Sequence, residues 1–119
     1  MKVAAIQMVS SVDVAANLDT ARQLLAQAAS QGAELAVLPE HFYLLGFKDT
    51  DKLQIAEQPG HGQLQDFLRQ CAREFKLWLV GGTLPLATGQ AADDSARVYN
   101  STLVYDPAGQ NVADRKSVV

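Results

Sequence analysis

A single carboxylate at the end of a short apolar run is the side chain of this sequence best placed to do chemistry. The run covers residues 35–38 (Leu-Ala-Val-Leu), and Pro39 and Glu40 follow it directly. A run of this length predicts a strand buried on both faces, and proline ends it because it has no N–H to donate to the ladder. Glu40 is then expected at the carboxyl end of an interior strand, the edge where open α/β sheets bind ligands. The alternative is that Glu40 only begins a solvated loop, as most acids after strands do.

Few other side chains are candidates for nucleophilic or ligand chemistry. The sequence has one cysteine and two histidines. Cys71 lies within a helical apolar stripe, whereas a reactive thiol needs an electropositive and partly exposed setting, so we interpret it as a small core residue. His61 stands in a Gly-rich turn without an evident partner and is predicted to lie on the surface. No Cys/His cluster has metal-ligand spacing, which argues against a metal site.

Composition limits the class of protein. The chain has 119 residues, 48% of them apolar and 19% charged, with a net charge of −3, which is typical of one modest globular domain. The absence of a basic run makes nucleic acid an unexpected partner. No apolar stretch has the length of a membrane span, and no signal peptide is evident. A single cysteine excludes an internal disulfide and is consistent with a reducing cytoplasm.

Apolar periodicity predicts an alternation of strands and helices in the order β-α-β-α-β-β, with a further strand after the last turn. The first strand–helix–strand unit should be a right-handed parallel crossover. The predicted elements are strand 3–9, helix 14–31, strand 35–38, helix 63–76, strand 77–80, strand 98–105 and a fifth strand from about residue 110.

Punctuating residues define the ends of these elements. Asp13 or Asn17 is expected to cap the first helix, and Gly32 is expected to end it in the left-handed conformation. Gly81 and Gly82 are expected to end the third strand and to allow a close backbone approach, and residues 83–86 are expected to continue as an extended segment. Residues 106–109 (Asp-Pro-Ala-Gly) predict a type I turn and hence an antiparallel hairpin.

Two connections have no strong periodicity. Residues 41–58 form a long segment with an aromatic cluster that either lines a pocket beside Glu40 or packs over the sheet edge. Residues 87–96 are small, polar and acidic, and are predicted to form an exposed loop.

Several strings occur together in an order that resembles the start of a carbon–nitrogen hydrolase of the nitrilase superfamily. The similarity covers residues 1–113, and within the superfamily it is nearest to the amidase branch with deaminated-glutathione amidases and ω-amidases. The strings are Val-Ala-Ala-Ile-Gln-Met at 3–8, Asn17, Gly-Ala-Glu-Leu-Ala-Val-Leu-Pro-Glu at 32–40, Trp-Leu-Val-Gly-Gly-Thr at 78–83, Tyr-Asn-Ser at 99–101 and Asp-Pro-Ala-Gly at 106–109.

The resemblance implies a fold, a catalytic set and a reaction. The fold is an α-β-β-α sandwich, of which this chain would form the N-terminal half, and such proteins often form dimers across a helical face. The set is Glu-Lys-Cys: Glu40 matches the general base, a cysteine attacks a small amide, and a lysine stabilises the oxyanion. The resemblance implies no cofactor and no metal.

The C-terminal residues depart from the family pattern. The family lysine is expected at position 117, which is Ser117, whereas Lys116 lies one residue earlier, and a one-residue slip in a strand reverses the side chain's face unless a bulge restores the register. Residues 114–119 are therefore interpreted as a divergent tail. The family nucleophile lies further along than this sequence extends, and Cys71 does not match it.

These departures predict an N-terminal fragment that is inactive alone. A sheet with helices on one face would leave an apolar face uncovered, so we expect self-association. The alternative function is a non-catalytic α/β module that associates with a partner or a full-length subunit through that face. A flavodoxin-like binder is set aside, because the turn after the first strand lacks the glycine of a phosphate loop.

Overall fold

The computed structural model contains one five-stranded sheet and two helices, and it describes residues 1–45, 55–87 and 98–118. The elements are β1 (Val3–Ala5), α1 (Val14–Ser30), β2 (Leu35–Val37), α2 (Gln63–Phe75), β3 (Trp78–Ala87), β4 (Val98–Tyr105) and β5 (Asn111–Val118). The predicted alternation and the fifth strand are thus confirmed. Residues 88–96 of the predicted loop and residues 46–54 of the aromatic segment lie outside the described residues.

The sheet has the strand order β1-β2-β3-β4-β5. Strands β1, β2 and β3 are mutually parallel, whereas β4 is antiparallel to both of its neighbours, β3 and β5. Two successive right-handed crossovers in one direction place α1 and α2 on the same face of the sheet. Because β1 and β3 flank it, β2 is an interior strand, as predicted.

Helix α1 begins and ends at residues that the sequence identifies. The Asp13 carboxylate accepts a hydrogen bond from the Ala16 N–H at 3.1 Å and is the N-cap, so the alternative assignment to Asn17 is wrong. Gly32 has φ +90°, and the Ala33 N–H donates to the Ala28 carbonyl at 3.1 Å, which closes the helix end.

The core lies between the helices and one face of the sheet. Ala36, Leu79 and Tyr105 are aligned across three neighbouring strands on this face and are almost fully buried. Helix α2 packs so closely here that a Cβ atom at Gly81 would come within 2.6 Å of Leu68. The apolar spacing of α2 that predicted a helix is therefore the spacing that fills the core.

The opposite face of the sheet carries a continuous apolar row without a helix among the described residues. Paired positions place one row member on each of the five strands: Ala5, Val37, Val80, Val104 and Ala113. On the neighbouring row, Val3 is 56% exposed and Trp78 is 39% exposed. The prediction that one face stays uncovered holds across these residues.

Two strands differ from prediction. β1 covers three residues rather than seven, because after the Ile6 N–H donates to the Val37 carbonyl at 2.9 Å the chain leaves the ladder. β3 does not end at Gly81 and Gly82. It continues to Ala87 through an irregular register between Gly81 and Leu84, because a bulge bends a strand without ending it.

The β4–β5 hairpin forms at the predicted turn. The Gly109 N–H donates to the Asp106 carbonyl at 2.8 Å, and the Asp106 carboxylate accepts from the Ala108 and Gln110 N–H groups. Tyr105 pairs with Asn111 and Val104 pairs with Ala113, which leaves Val112 as an extra residue in β5. This bulge sets which residues of β5 share a face.

Among the described residues, neither helix is long and apolar enough to cross a membrane.

Candidate active site

Glu40 lies at the carboxyl end of β2, the position that the apolar run predicts. The ladder extends one residue beyond the strand, since the Leu38 N–H donates to the Val80 carbonyl at 2.9 Å. Glu40 follows in a turn with its side chain exposed. An accessible carboxylate on the end of an interior strand is available to accept a proton from a group brought to this edge.

The backbone on both sides of Glu40 is closely constrained. A Cβ atom at position 82 would overlap the carbonyl oxygen of Pro39, so β3 approaches the turn through a glycine. His41 has φ +56°, a left-handed conformation that is uncommon for a residue with a side chain. The close approach that the sequence predicts at Gly82 is therefore made against the residue that precedes Glu40.

Three hydrogen bonds hold the segment after Glu40 against the first turn of α1 and the connection that precedes it. The Ser10 hydroxyl donates to the Phe42 carbonyl at 3.2 Å. The Asn17 amide donates to the Tyr43 carbonyl at 2.8 Å, and the Leu45 N–H donates to the Ser11 carbonyl at 3.0 Å. The residue types that make these contacts are common in loops, and their spacing does not reveal the contacts.

The described part of the aromatic segment packs into the core. Phe42 and Tyr43 are fully buried, with their rings edge to face at 5.5 Å, and Phe42 also stacks on Phe67 of α2 at 6.4 Å. Burial raises the pKa of Tyr43 to about 12, so its phenol is neutral at physiological pH. This packing favours the interpretation in which the segment covers the sheet edge. Leu45 is exposed, and Phe47 lies outside the described residues.

Lys116 lies on β5, whose carboxyl end points to the same edge of the sheet as that of β2. Its ammonium group is 3.2 Å from the Asp114 carboxylate and 5.7 Å from the centre of the Tyr99 ring. It pairs with Ser101 on the face that α1 and α2 cover. Strands β3 and β4 separate it from β2, and no ion pair of the described residues joins it to Glu40. Position 117 is paired with Asn100.

Cys71 is a core residue, as predicted. It lies on α2 with no exposed surface, and burial raises the pKa of its thiol to about 11. A thiol with such a pKa is protonated near neutral pH and is a poor nucleophile.

The residues described here contain no group of three side chains able to hold a metal ion. His61 is exposed, as predicted.

Comparison with known proteins identifies the family. The carbon-nitrogen hydrolase family model matches residues 2–117, and the chain belongs to this family. It is 34% identical over 110 residues to deaminated glutathione amidase from Synechocystis sp., covering 92% of this chain and 39% of that protein. It is 34% identical over 111 residues to the human deaminated glutathione amidase, covering 93% of this chain and 33% of that protein.

Solved structures agree with this assignment. The crystal structure of Saccharomyces cerevisiae Nit3, a member of branch 10 of the nitrilase superfamily, matches 90% of this chain and 40% of that chain with a TM-score of 0.76 and 26% identity. An amidase from Nesterenkonia sp. matches 98% of this chain and 42% of its own with a TM-score of 0.78 and 25% identity. The chain therefore has the partial fold of the N-terminal part of a nitrilase-superfamily protein, and it spans 39% of the Synechocystis relative.

Proposed function

We propose that Glu40 is the general base of a carbon–nitrogen hydrolase that cleaves the C–N bond of a small amide. The observation that carries the proposal is the exposed Glu40 carboxylate, held at the end of an interior strand between Gly82 and the bonded segment 42–45. The names of the relatives give the substrate class, since two of them are deaminated glutathione amidases.

The reaction that we propose has four steps. The glutamate accepts the proton of a cysteine thiol as the thiolate attacks the carbonyl carbon. A lysine stabilises the oxyanion of the tetrahedral intermediate. The C–N bond breaks and the amine leaves with the proton returned by the glutamic acid. Water, deprotonated by the same carboxylate, then hydrolyses the thioester and frees the thiol.

Residues 1–113 would supply only the base of this set. Cys71 is the one cysteine of the 119 residues, and its buried, protonated thiol does not fit the nucleophile. Lys116 is the candidate for the oxyanion lysine, but its ammonium group contacts Asp114 and the Tyr99 ring. We therefore propose that the 119 residues alone do not hydrolyse amides.

A hybrid enzyme tests the role of Glu40. Residues 1–113 of this chain would be joined to the remainder of the Synechocystis deaminated glutathione amidase, which is expected to supply the lysine and the cysteine of the proposed reaction. We expect the hybrid to release product from deaminated glutathione. Glu40→Gln should lower kcat by about 10³-fold, because it removes the base but keeps the size of the side chain.

Two controls make this result interpretable. Glu34 is an exposed acid just before β2, so Glu34→Gln in the same hybrid should retain full activity. Circular dichroism should show that the Glu40→Gln hybrid is folded, because the side chain that it replaces is exposed. A folded Glu40→Gln hybrid with unchanged kcat would contradict the assignment.

The uncovered apolar face favours a second candidate function. A row of apolar side chains across all five strands, beside Val3 and the partly exposed Trp78, is the kind of surface that associates with another protein layer. Under this proposal, the chain would be a non-catalytic module that joins a full-length homologous subunit. Co-purification with such a subunit, abolished by Trp78→Lys but not by Glu40→Gln, would favour it over catalysis.

A further inference from the structure

Asn17 is a buried amide that uses both atoms of its carboxamide in hydrogen bonds. Its side chain accepts from the N–H and the hydroxyl of Ser11 at 2.9 and 3.3 Å. It donates to the carbonyl groups of Ser11 and Tyr43, both at 2.8 Å. Asn17 is only 3% exposed; its bond to the Tyr43 carbonyl is buried and its bonds to Ser11 are partly buried, so removing the amide takes a donor from a buried carbonyl group.

The bonds of Asn17 join two segments that are distant in sequence. Ser11 lies between β1 and α1, whereas Tyr43 lies three residues after Glu40. The link is reinforced where the Leu45 N–H donates to the Ser11 carbonyl and the Ser10 hydroxyl donates to a carbonyl in the same segment. Asn17 therefore fixes one end of the turn that carries Glu40.

The other end of the turn is fixed by the sheet. The Leu38 N–H is bonded to the Val80 carbonyl, and Gly82 packs against the carbonyl of Pro39. Pro39 is the last residue held by the sheet, and Phe42 is the first residue after Glu40 whose carbonyl is hydrogen-bonded. Only Glu40 and His41 lie between them. With both ends held, the direction of the Glu40 side chain is limited to what this short turn allows.

We infer that Asn17 is a positioning residue for Glu40: its buried amide holds the segment after the glutamate so that the carboxylate is presented at the carboxyl end of β2. This inference rests on the proposed function, in which Glu40 is the base. A base must be placed to within about 1 Å of its working position, and an error of that size can lower the rate by about 10²-fold.

Gln65 provides a matched control on the other helix. It is 1% exposed, and its amide makes four hydrogen bonds, all to residues 57–61. Gln65→Ala therefore removes a buried, fully bonded amide of similar size without touching a partner of Asn17. An effect of Asn17→Ala that Gln65→Ala does not share is specific to the two segments that Asn17 joins, at Ser11 and at Tyr43.

Amide hydrogen exchange on the 119-residue chain is the first test. The Leu45 amide should exchange at least about tenfold faster in Asn17→Ala than in wild type. The same is expected in Asn17→Asp, because aspartate retains only the hydrogen-bond acceptor of the asparagine. The Leu38 amide, held by β3, should stay within about twofold of wild type. Gln65→Ala should leave the ratio of these two rates unchanged. An equal acceleration of both amides in Asn17→Ala, or no acceleration, would overturn the inference.

Kinetics of the hybrid enzyme is the second test. Asn17→Ala should lower kcat by about tenfold or more and leave KM within about threefold, because the loss is in base placement rather than in substrate binding. A hybrid with wild-type kcat after Asn17→Ala would overturn the inference. A hybrid that is inactive with Asn17 intact counts against the proposed function alone, since the exchange ratio still decides whether Asn17 holds the segment.

Discussion

Gly82 lies directly against the carbonyl oxygen of Pro39, the residue that precedes Glu40. A Cβ atom at position 82 would overlap that oxygen and would come within 3.1 Å of the Phe42 ring. The backbone there has φ +32°, which also favours glycine. Strand β3 thus packs against the residue before the candidate base, and it can do so because Gly82 has no side chain.

Gly82→Ala should destabilise the chain and displace the turn. Because backbone atoms of Pro39 must move to admit the methyl group, we expect a loss of about 2–3 kcal/mol in the free energy of unfolding, measured by urea denaturation. Gly60→Ala is the control, because Gly60 has φ +88° but nothing lies within 4 Å of its Cβ position. Only backbone strain should then lower the free energy of unfolding, by about 1 kcal/mol. Equal losses in the two variants would contradict the packing role of Gly82.

The register of Lys116 can be tested with a second hybrid, joined after Ser117 instead of after Ala113. We expect its kcat to be at least about tenfold lower than that of the first hybrid. The reason is that Lys116 shares a face with Ser101 and lies one residue before the family position. The double substitution Lys116→Ser and Ser117→Lys should restore activity. Equal kcat values for the two unmodified hybrids would mean that Lys116 already serves as the oxyanion lysine.

The buried Cys71 thiol predicts a pH dependence of stability. Burial raises the pKa of Cys71 from 9.0 to about 11, so the unfolded chain loses this proton at a lower pH than the native chain does. The buried, protonated thiol therefore contributes its full share to the free energy of unfolding below about pH 9. This share is lost as the pH rises towards 11, at no more than about 1.4 kcal/mol per pH unit.

Urea denaturation of wild type and Cys71→Ala between pH 8 and pH 10.5 would isolate this effect, since buried tyrosines titrate alike in both proteins. The free energy of unfolding of wild type should fall towards that of the variant as the pH rises. Parallel curves in the part of this range above pH 9.0 would show that Cys71 does not keep its proton in the native state.

The apolar row and its neighbour Trp78 predict self-association of the isolated chain. We expect concentration-dependent sedimentation, and Trp78→Lys should weaken the association by about tenfold or more, because a charge must then be desolvated in the contact. Gln27→Lys, on an exposed position of α1, is the control that adds the same charge elsewhere. A chain that sediments as a monomer at every concentration would contradict the prediction.

Elements that depend on local chemistry could be predicted from the sequence. The apolar run before Pro39 identified the interior strand, and Gly32 identified the end of α1. At Gly81 and Gly82 the prediction of a strand end is wrong, although residues 83–86 are extended as predicted, because pairing with β4 continues beyond the bulge. A glycine pair has the same sequence signal whether a strand ends or bends there, and only the long-range partner decides between the two.

Contacts between distant segments could not be predicted. The residue type of Asn17 predicts a possible cap, yet Asp13 caps the helix and Asn17 is buried. One signal was available: position 17 precedes Ala21 and Ala28 by four and eleven residues, on the apolar stripe of the helix, where a polar residue needs partners. Its partner at Tyr43 lies 26 residues away, and no local pattern identifies it.

The sheet order is identical to the order of the strands along the chain. Each new strand can therefore dock on the one completed before it, without waiting for a later segment to be inserted between them. Because β3 precedes β4 and β5 in the chain, β2 can acquire its second neighbour before the hairpin of β4 and β5 is synthesised. The turn that carries Glu40 would then be assembled early, while the chain is still emerging from the ribosome.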